Sequence, residues 1–511
     1  VQLLLNKLRT NNRILGFSID AVAGALASLA LPPVFFVPAI FIIAVPAWRV
    51  IHAPHRQAAA GVFFGAGLGW FLASTYWVAH SLLVAAPALW FLTPAVALAL
   101  AVVLAAFWAL AAGLSWTANS TALVRLLRLI VLFAMLEWAR SFVATGFPWN
   151  LMGSLFAVHI TSVQMASIVG IYGLTLLAFG CAMAPLFWCL GRWWAALLCL
   201  LLPLLGTGFG SARLAAGPSL DAAITPGNAP LVRLVQPSVP QSEKWNRQKR
   251  ADHLARLVAL SRHGTARPAV VIWPETAFAG LPHQNQNLLA GTAGAATSDA
   301  GYLLTGIPRF NGDGHPQNSA FLLDQNGALR GLYDKRHLVP FGEYVPFRSL
   351  LPFLDIIAGP ADFVAGTQNP MITVPHVGKV QMLICYEVIF AGRVVDPDRR
   401  PDVMVNITND AWFGKTIGPW QHLYQAQLRA VEEGVPLLRV ANTGITAAFD
   451  GYGRQLGAIP LGDKAYLDIT VPSVLTAPVF ARWGNGLFFV MCLVIAMIAR
   501  VVDHRQYVRN R

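Results

Sequence analysis

Four of the five cysteines, Cys181, Cys189, Cys199 and Cys492, lie inside long apolar runs, and Cys385 does not. It closes an alternating run from Lys379 to Ile384 and is followed at once by Tyr386 and Glu387. A thiol at the carboxyl end of a strand is where an α/β enzyme places a nucleophile, although an inert buried cysteine leaves the same trace. Three other expected strand ends carry groups that suit a thiol. Trp273-Pro274-Glu275 sets a carboxylate just after an apolar run, where a solvated turn residue is the plain alternative. The stretch from Tyr333 to Tyr344 holds Lys335 and Glu343 among apolar and aromatic neighbours. Asn406 to Gly414 is an amide-rich strand end running into an aromatic turn, where Asn409 and Asp410 could simply cap. A carboxylate, an ammonium and a thiol on separate strand ends are what opposed groups of one active site require.

The elements that must hold them lie beyond about residue 231. Runs at 231–236, 269–273, 302–307, 319–324, 379–385, 403–408, 437–441 and 445–449 read as strands. Helical patterns fall at 244–262, where Leu254, Leu257, Val258 and Leu260 form a partial apolar face, and at 419–433. Such a mixture over this length predicts one α/β domain of packed layers. Residues 211–230, rich in Ala, Gly and Pro, read as a linker, and 472–484 as the return from the domain.

Composition places the rest of the chain in lipid. Of 511 residues 56% are hydrophobic and 12% charged, with a mean hydropathy of +0.55, outside the range of soluble globular proteins. Apolar stretches at 14–31, 34–48, 59–82, 87–113, 127–143, 163–190, 193–210 and 485–502 approach or exceed the roughly 20 helical residues that span a bilayer. With eight spans, every basic cluster falls on one side: Lys7, Arg9 and Arg13; Arg49 and Arg56; Arg125 and Arg128; Arg192; and Arg500, Arg505, Arg509 and Arg511. The connections near 32–33 and 83–86 carry no charge. Positive residues mark the cytoplasmic side, so both termini are expected there and the long segment on the other. The net charge of +13 then follows from topology, with anionic lipid rather than nucleic acid as partner. The first span lacks a clear cleavage site and reads as a retained anchor. One cysteine in the outer segment excludes a disulfide within it.

The order of these motifs, Trp-Pro-Glu, then Lys335 in its aromatic loop, then Cys-Tyr-Glu, then Asn-Asp-Ala-Trp-Phe-Gly, resembles the nitrilase superfamily. With seven spans before and one after, and with Thr145 to Trp149 and Gly418 to His422, the whole chain is similar to the bacterial apolipoprotein N-acyltransferase family. Thr408 departs from the Ser expected before Asn409-Asp410. The resemblance implies eight transmembrane helices and an extracytoplasmic αββα sandwich, divided as 1–210, 211–484 and 485–511. It implies Cys385 as nucleophile, Glu275 as general base and Lys335 as electrostatic partner, with Glu343, Tyr386 and Glu387 in support and Trp245, Trp412, Phe413 and Trp420 toward substrate. No metal or cofactor is implied. The donor would be a phospholipid such as phosphatidylethanolamine and the acceptor the α-amino group of an S-diacylglyceryl cysteine, handled by a monomer in the inner membrane with its catalytic domain in the periplasm.

Other readings compete for the same residues. His337 and His422 suggest a Cys-His protease, but Glu275 and Lys335 already supply a base and an oxyanion partner. A membrane-anchored amidase would differ only in passing the acyl group to water. A transporter with an accessory domain would need a polar path between spans, against which so few intramembrane charges argue. The apolar arm 346–358 and the aromatic turn 412–420 are candidates for a lipid-facing mouth. Asp20, Glu137 and Arg140 fall in or at the ends of spans, where ionisable groups are costly; one helical turn separates Glu137 from Arg140.

Overall fold

The computed structural model describes residues 12–219, 229–297, 301–346, 348–350 and 362–509. Lys7, Arg9 and Arg511, most of the arm 346–358 and part of the linker lie outside them. The chain divides into two compact units, one of Val1–Ala79, Phe91–Leu214 and Arg482–Arg511, the other of His80–Trp90 and Ala215–Ala481.

The first unit is helical. Among the described residues, five helical stretches that begin in it or just before it are long and apolar enough to cross a membrane: Arg13–Ala30, Arg56–Ala85, Pro87–Ser115, Trp193–Ala215 and Gly486–Gln506. Val37–Ile51 and Ala166–Ala182 are apolar but shorter, and Ala122–Ala139 carries Arg125, Arg128 and Glu137. Length and apolar character thus account for five of the eight expected spans, because the other stretches are broken or charged. On Trp193–Ala215, Leu197, Leu198, Leu204 and Leu205 are all exposed, a leucine surface suited to hydrocarbon rather than water. Small residues set the helix spacing: a Cβ on Gly69 would meet the Ala21 carbonyl, and one on Gly24 the Ala66 carbonyl, so Arg13–Ala27 and Arg56–Thr75 pack with backbones in close approach.

The buried charges of this unit are paired. Asp20 accepts from Arg49 at 3.1 Å. Glu137 holds Arg140 at 2.6 Å and accepts from Trp108 Nε1 at 3.1 Å. The Arg140 guanidinium also donates to the carbonyls of Phe147 and Trp149 at 2.5 and 2.9 Å. That accounts for the Gly146 to Trp149 string: the turn is pinned to a buried ion pair, and Gly146 turns it at φ 89°.

Among the described residues, the second unit contains two six-stranded sheets. β1 (Leu231–Gln236), β2 (Val270–Ile272), β3 (Tyr302–Phe310), β4 (Pro316–Asp324) and β5 (Leu329–Asp334) share one sheet with β12 (Ala465–Thr470), in the order β12-β1-β2-β3-β4-β5. β6 (Met371–Val374), β7 (Gly378–Ile384), β8 (Val403–Thr408), β9 (Leu437–Ala441), β10 (Thr446–Phe449) and β11 (Gln455–Ile459) form the other, in the order β11-β10-β9-β8-β7-β6. Strand alternation builds the layers. Val232, Leu234 and Ile272 of one sheet and Met382, Ile384, Val405 and Ile407 of the other share a single core. The opposite face of the first sheet, through Val235, Val271 and Leu303, packs on α1 (Arg250–Arg262) and α2 (Gln286–Ala296). α3 (Gly418–Glu433) lies against the second sheet through β9 and β10. β1, β2 and β3 run parallel, as do β7, β8 and β9, so each sheet presents a row of carboxyl ends.

Candidate active site

Glu275 follows β2 and is fastened to β3, where Gly306 N donates to Pro274 O at 3.2 Å and Phe278 N to Gly306 O at 3.3 Å. A Cβ at Gly306 would run into the Glu275 backbone, so this residue must be small. Lys335 directly follows β5, whose final Asp334 is clamped by Arg309 at 2.8 and 2.6 Å. Cys385 follows β7 with a φ of 52°. Left-handed backbone at a non-glycine residue costs of order 1–3 kcal/mol and collects at functional sites.

Hydrogen bonds draw these strand ends together. Lys335 Nζ lies 2.9 Å from Glu343 and 3.9 Å from Glu275 Oε1. Asn318, on β4, donates to Glu275 Oε1 at 2.7 Å and to Glu343 Oε1 at 2.9 Å, and its carbonyl accepts from Lys335 N at 2.8 Å. Glu343 also accepts from Val339 N at 2.8 Å. Glu387 ties the Lys335 loop to the Cys385 loop: Oε1 accepts from Tyr333 Oη, Arg336 N and His337 N at 2.7, 2.8 and 3.1 Å, and Oε2 from Ile384 N at 2.7 Å. Of the residues singled out in the sequence, Glu275, Lys335, Glu343, Cys385 and Glu387 therefore form one cluster.

The aromatic candidates are placed differently. The Tyr386 ring packs on His337 and Phe390, with centroids 5.7 and 5.1 Å away. Trp245 and Trp420 are exposed, while Trp412 and Phe413 are half-buried. The Trp412 carbonyl lies 3.2 Å from His80 Nδ1, and the Phe413 ring faces His422 at 6.4 Å. His422 is held in a separate polar network. Its Nε2 lies 3.3 Å from the Cys385 carbonyl, and its Nδ1 sits between Asp410 Oδ1 at 3.0 Å and Arg439 Nη2 at 3.1 Å.

Electrostatics follow from burial and pairing. Burial first, then the Glu275 charge, pushes the Cys385 thiol up to about 12, with Lys335 pulling the other way; the resting thiol keeps its proton. Burial also raises the Glu275 carboxyl, against Lys335. Burial would lower the Lys335 ammonium, but Glu343 and Glu275 outweigh it and hold the group well above its usual range. Burial opposes ionisation of Asp410, yet Arg439 and His422 bring it down to about 2. The cluster thus brings together a thiol and a carboxyl both raised by burial and a lysine ammonium held well above its usual range, a set suited to acyl transfer through a covalent intermediate.

Sequence reasoning missed three contributors. Lys244 is buried and donates to the Glu275 carbonyl at 2.9 Å; its sequence neighbour Trp245 drew attention instead. Asn318 lies on β4 just ahead of the run 319–324 that reads as a strand. Arg439, fully buried in β9, bonds Asn406 at 2.7 Å and Asp410 at 2.6 Å, and Asn406 in turn reaches the Cys385 carbonyl at 3.3 Å. A charged residue inside the apolar run at 437–441 was the available signal for it.

Strand-end chemistry of this kind, on a pair of stacked sheets, defines a nitrilase-type thiol enzyme carried on a multi-span membrane protein. The carbon-nitrogen hydrolase family model matches residues 231–478, and the model of the apolipoprotein N-acyltransferase N-terminal domain matches 23–184. Apolipoprotein N-acyltransferases of Rhizobium rhizogenes and Brucella melitensis are each 35% identical to this chain, over 94% and 96% of both partners respectively. That of Rhodopseudomonas palustris is 33% identical over 94% of each. Among solved structures, an amidase from Nesterenkonia sp. aligns with 53% of this chain and 98% of its own at 19% identity, with a TM-score of 0.39, too slight a likeness to bear on mechanism. The chain belongs to the apolipoprotein N-acyltransferase family, and it is an acyl-transferring enzyme of the membrane.

Proposed function

We propose that Cys385 carries the acyl group between a phospholipid and the α-amino group of an S-diacylglyceryl cysteine on an apolipoprotein. The supporting observation is the convergence of Glu275, Lys335 and Glu343 through Asn318 beside a strained Cys385. The thiol is protonated at rest, so its attack on the donor's ester carbonyl is coupled to proton transfer to Glu275. Lys335 and the backbone N–H of Tyr386 balance the oxyanion. Collapse breaks the ester C–O bond, and Glu275 returns the proton to the departing lysophospholipid oxygen. A thioester remains on Cys385. The acceptor amine then attacks that carbonyl, Glu275 takes the amine's proton, and the thiolate leaves and is reprotonated.

Glu343 holds Lys335 in place, and Glu387 fixes the relation of the two loops. Trp245, Trp412, Phe413 and Trp420 meet the lipid chains, with phosphatidylethanolamine the expected donor. The membrane part crosses the bilayer eight times, counting the short and charged helices, which puts both termini in the cytoplasm and the catalytic part, 211–484, in the periplasm between the regions 1–210 and 485–511. Vesicles of defined phospholipid with a synthetic diacylglyceryl peptide test the reading: triacylated peptide and lysophospholipid in equal amounts are expected. Free fatty acid with unmodified peptide would instead support the amidase-like hydrolase.

A further inference from the structure

The steps above leave one buried charge at the site without a task. Lys244, in the turn before α1, is 5% exposed. Among the described residues its ammonium makes one hydrogen bond, to the Glu275 carbonyl at 2.9 Å, and no carboxylate stands within ion-pair distance of it. The small cavity of about 20 Å³ that it borders is lined also by Arg250, His253 and Asn442, with no carboxylate among the lining residues. Its neighbour Glu243 is turned outward to Lys249, at 2.6 Å. The negative groups that act on Lys244 are Glu275 and Cys385. An isolated buried ammonium is costly unless its surroundings supply the opposite charge.

A charge count shows what it offsets. Glu275, Glu343 and Glu387 set three carboxyl groups around the single ammonium of Lys335, so Lys244 is the second cationic group available to the cluster. We propose that Lys244 is a positioning residue for the acyl transfer, a second ammonium that fixes the Glu275 peptide and offsets the charge appearing on Cys385 as the thiol gives up its proton. This rests on Cys385 as the acyl-carrying thiol. Burial lowers Lys244 to about 8, with Glu275 and then Cys385 pulling it back up. The ammonium is therefore present at neutral pH and is lost as the pH rises above about 8.

The test is alkylation of Cys385 by iodoacetamide in the full-length enzyme in phospholipid–detergent micelles, followed peptide by peptide from pH 6 to 10. Lys244→Gln keeps a donor for the Glu275 carbonyl without the charge, and Lys244→Met removes both. Each is expected to move the alkylation profile up by about one pH unit, slowing the reaction at pH 7.5 by about tenfold. Profiles that overlay the wild type in both variants overturn the proposal. Should neither variant fold, the wild-type profile decides: two coupled groups give a logarithmic slope that falls below one near pH 8, and a slope of one throughout overturns the proposal. A parallel arm offers labelled phospholipid to wild type. No label on Cys385 removes the thioester reading itself, whereas label on Cys385 with overlaid profiles removes only the role of Lys244.

Discussion

The Glu387 carboxylate accepts the Tyr333 hydroxyl at 2.7 Å, joining the strand that leads into Lys335 to the loop that carries Cys385. With Arg336 N, His337 N and Ile384 N on the same carboxylate, Glu387 receives four donors and fixes the distance between the two loops. Glu387→Gln leaves one oxygen for this set and turns an amide N–H toward at least one donor. Leaving buried donors unmatched costs roughly 1–3 kcal/mol, so the variant is expected to melt several degrees lower and to lose activity more than binding. Thermal unfolding in detergent, with kcat and KM side by side, checks this; an unchanged melt and kcat would remove Glu387 from the positioning role.

Glu275→Gln tests the base. The amide oxygen still accepts from Asn318, so the local fold is expected to survive, while the acyl-enzyme forms about 10²–10⁴ times more slowly. Single-turnover acylation measures it. Acylation at the wild-type rate would assign the proton transfer elsewhere.

Asp410 sets an acid limit to stability. Its carboxyl stands at about 2 in the folded chain against 3.8 as the reference, held down by Arg439 and His422 against the effect of burial. A depressed carboxylate stabilises the fold above its unfolded pKa, and that contribution fades as the pH falls from about 4 to about 2. It amounts to about 2 kcal/mol. The melting difference between wild type and Asp410→Asn is therefore expected to be full at pH 7 and to shrink across that window; a difference that does not vary with pH would contradict the pairing.

Glu137 and Arg140 test the membrane unit. Removing one partner strands a buried charge, at a cost of roughly 3–5 kcal/mol. Glu137→Leu alone is thus expected to be severely unstable, and Glu137→Leu with Arg140→Met to recover in part, limited by the lost bonds to Phe147 and Trp149. Folded yield in detergent reads the difference. Equal yields would show that the pair is not coupled.

The interior strands were legible because β-branched, alternating runs bury both faces: β1, β8 and β9 match the sequence reading residue for residue. β5, β6, β11 and β12 lie at or beside sheet edges, and Leu329-Arg330-Gly331 or Gln455-Leu456-Gly457 lacks the apolar density that marks a strand. α1 begins at Arg250 rather than 244, because the preceding residues form turns that lead Lys244 inward. The helix Gln286–Ala296, rich in Ala and Gly, has too weak an apolar stripe to stand out. At the site, Glu275, Lys335 and Cys385 were readable because Lys335 and Cys385 directly follow strands and Glu275 comes three residues after β2. Asn318, Arg439 and Lys244 were not, since their work depends on which strand ends meet across the two sheets, and that meeting is tertiary.

The most direct measurement is transfer of a labelled acyl chain from phospholipid to the purified enzyme without acceptor. A hydroxylamine-sensitive label on the peptide containing Cys385, absent from Cys385→Ala, is the expected result. A wild type that takes no label, or a Cys385→Ala variant that takes as much, would contradict an acyl-thioester at this residue.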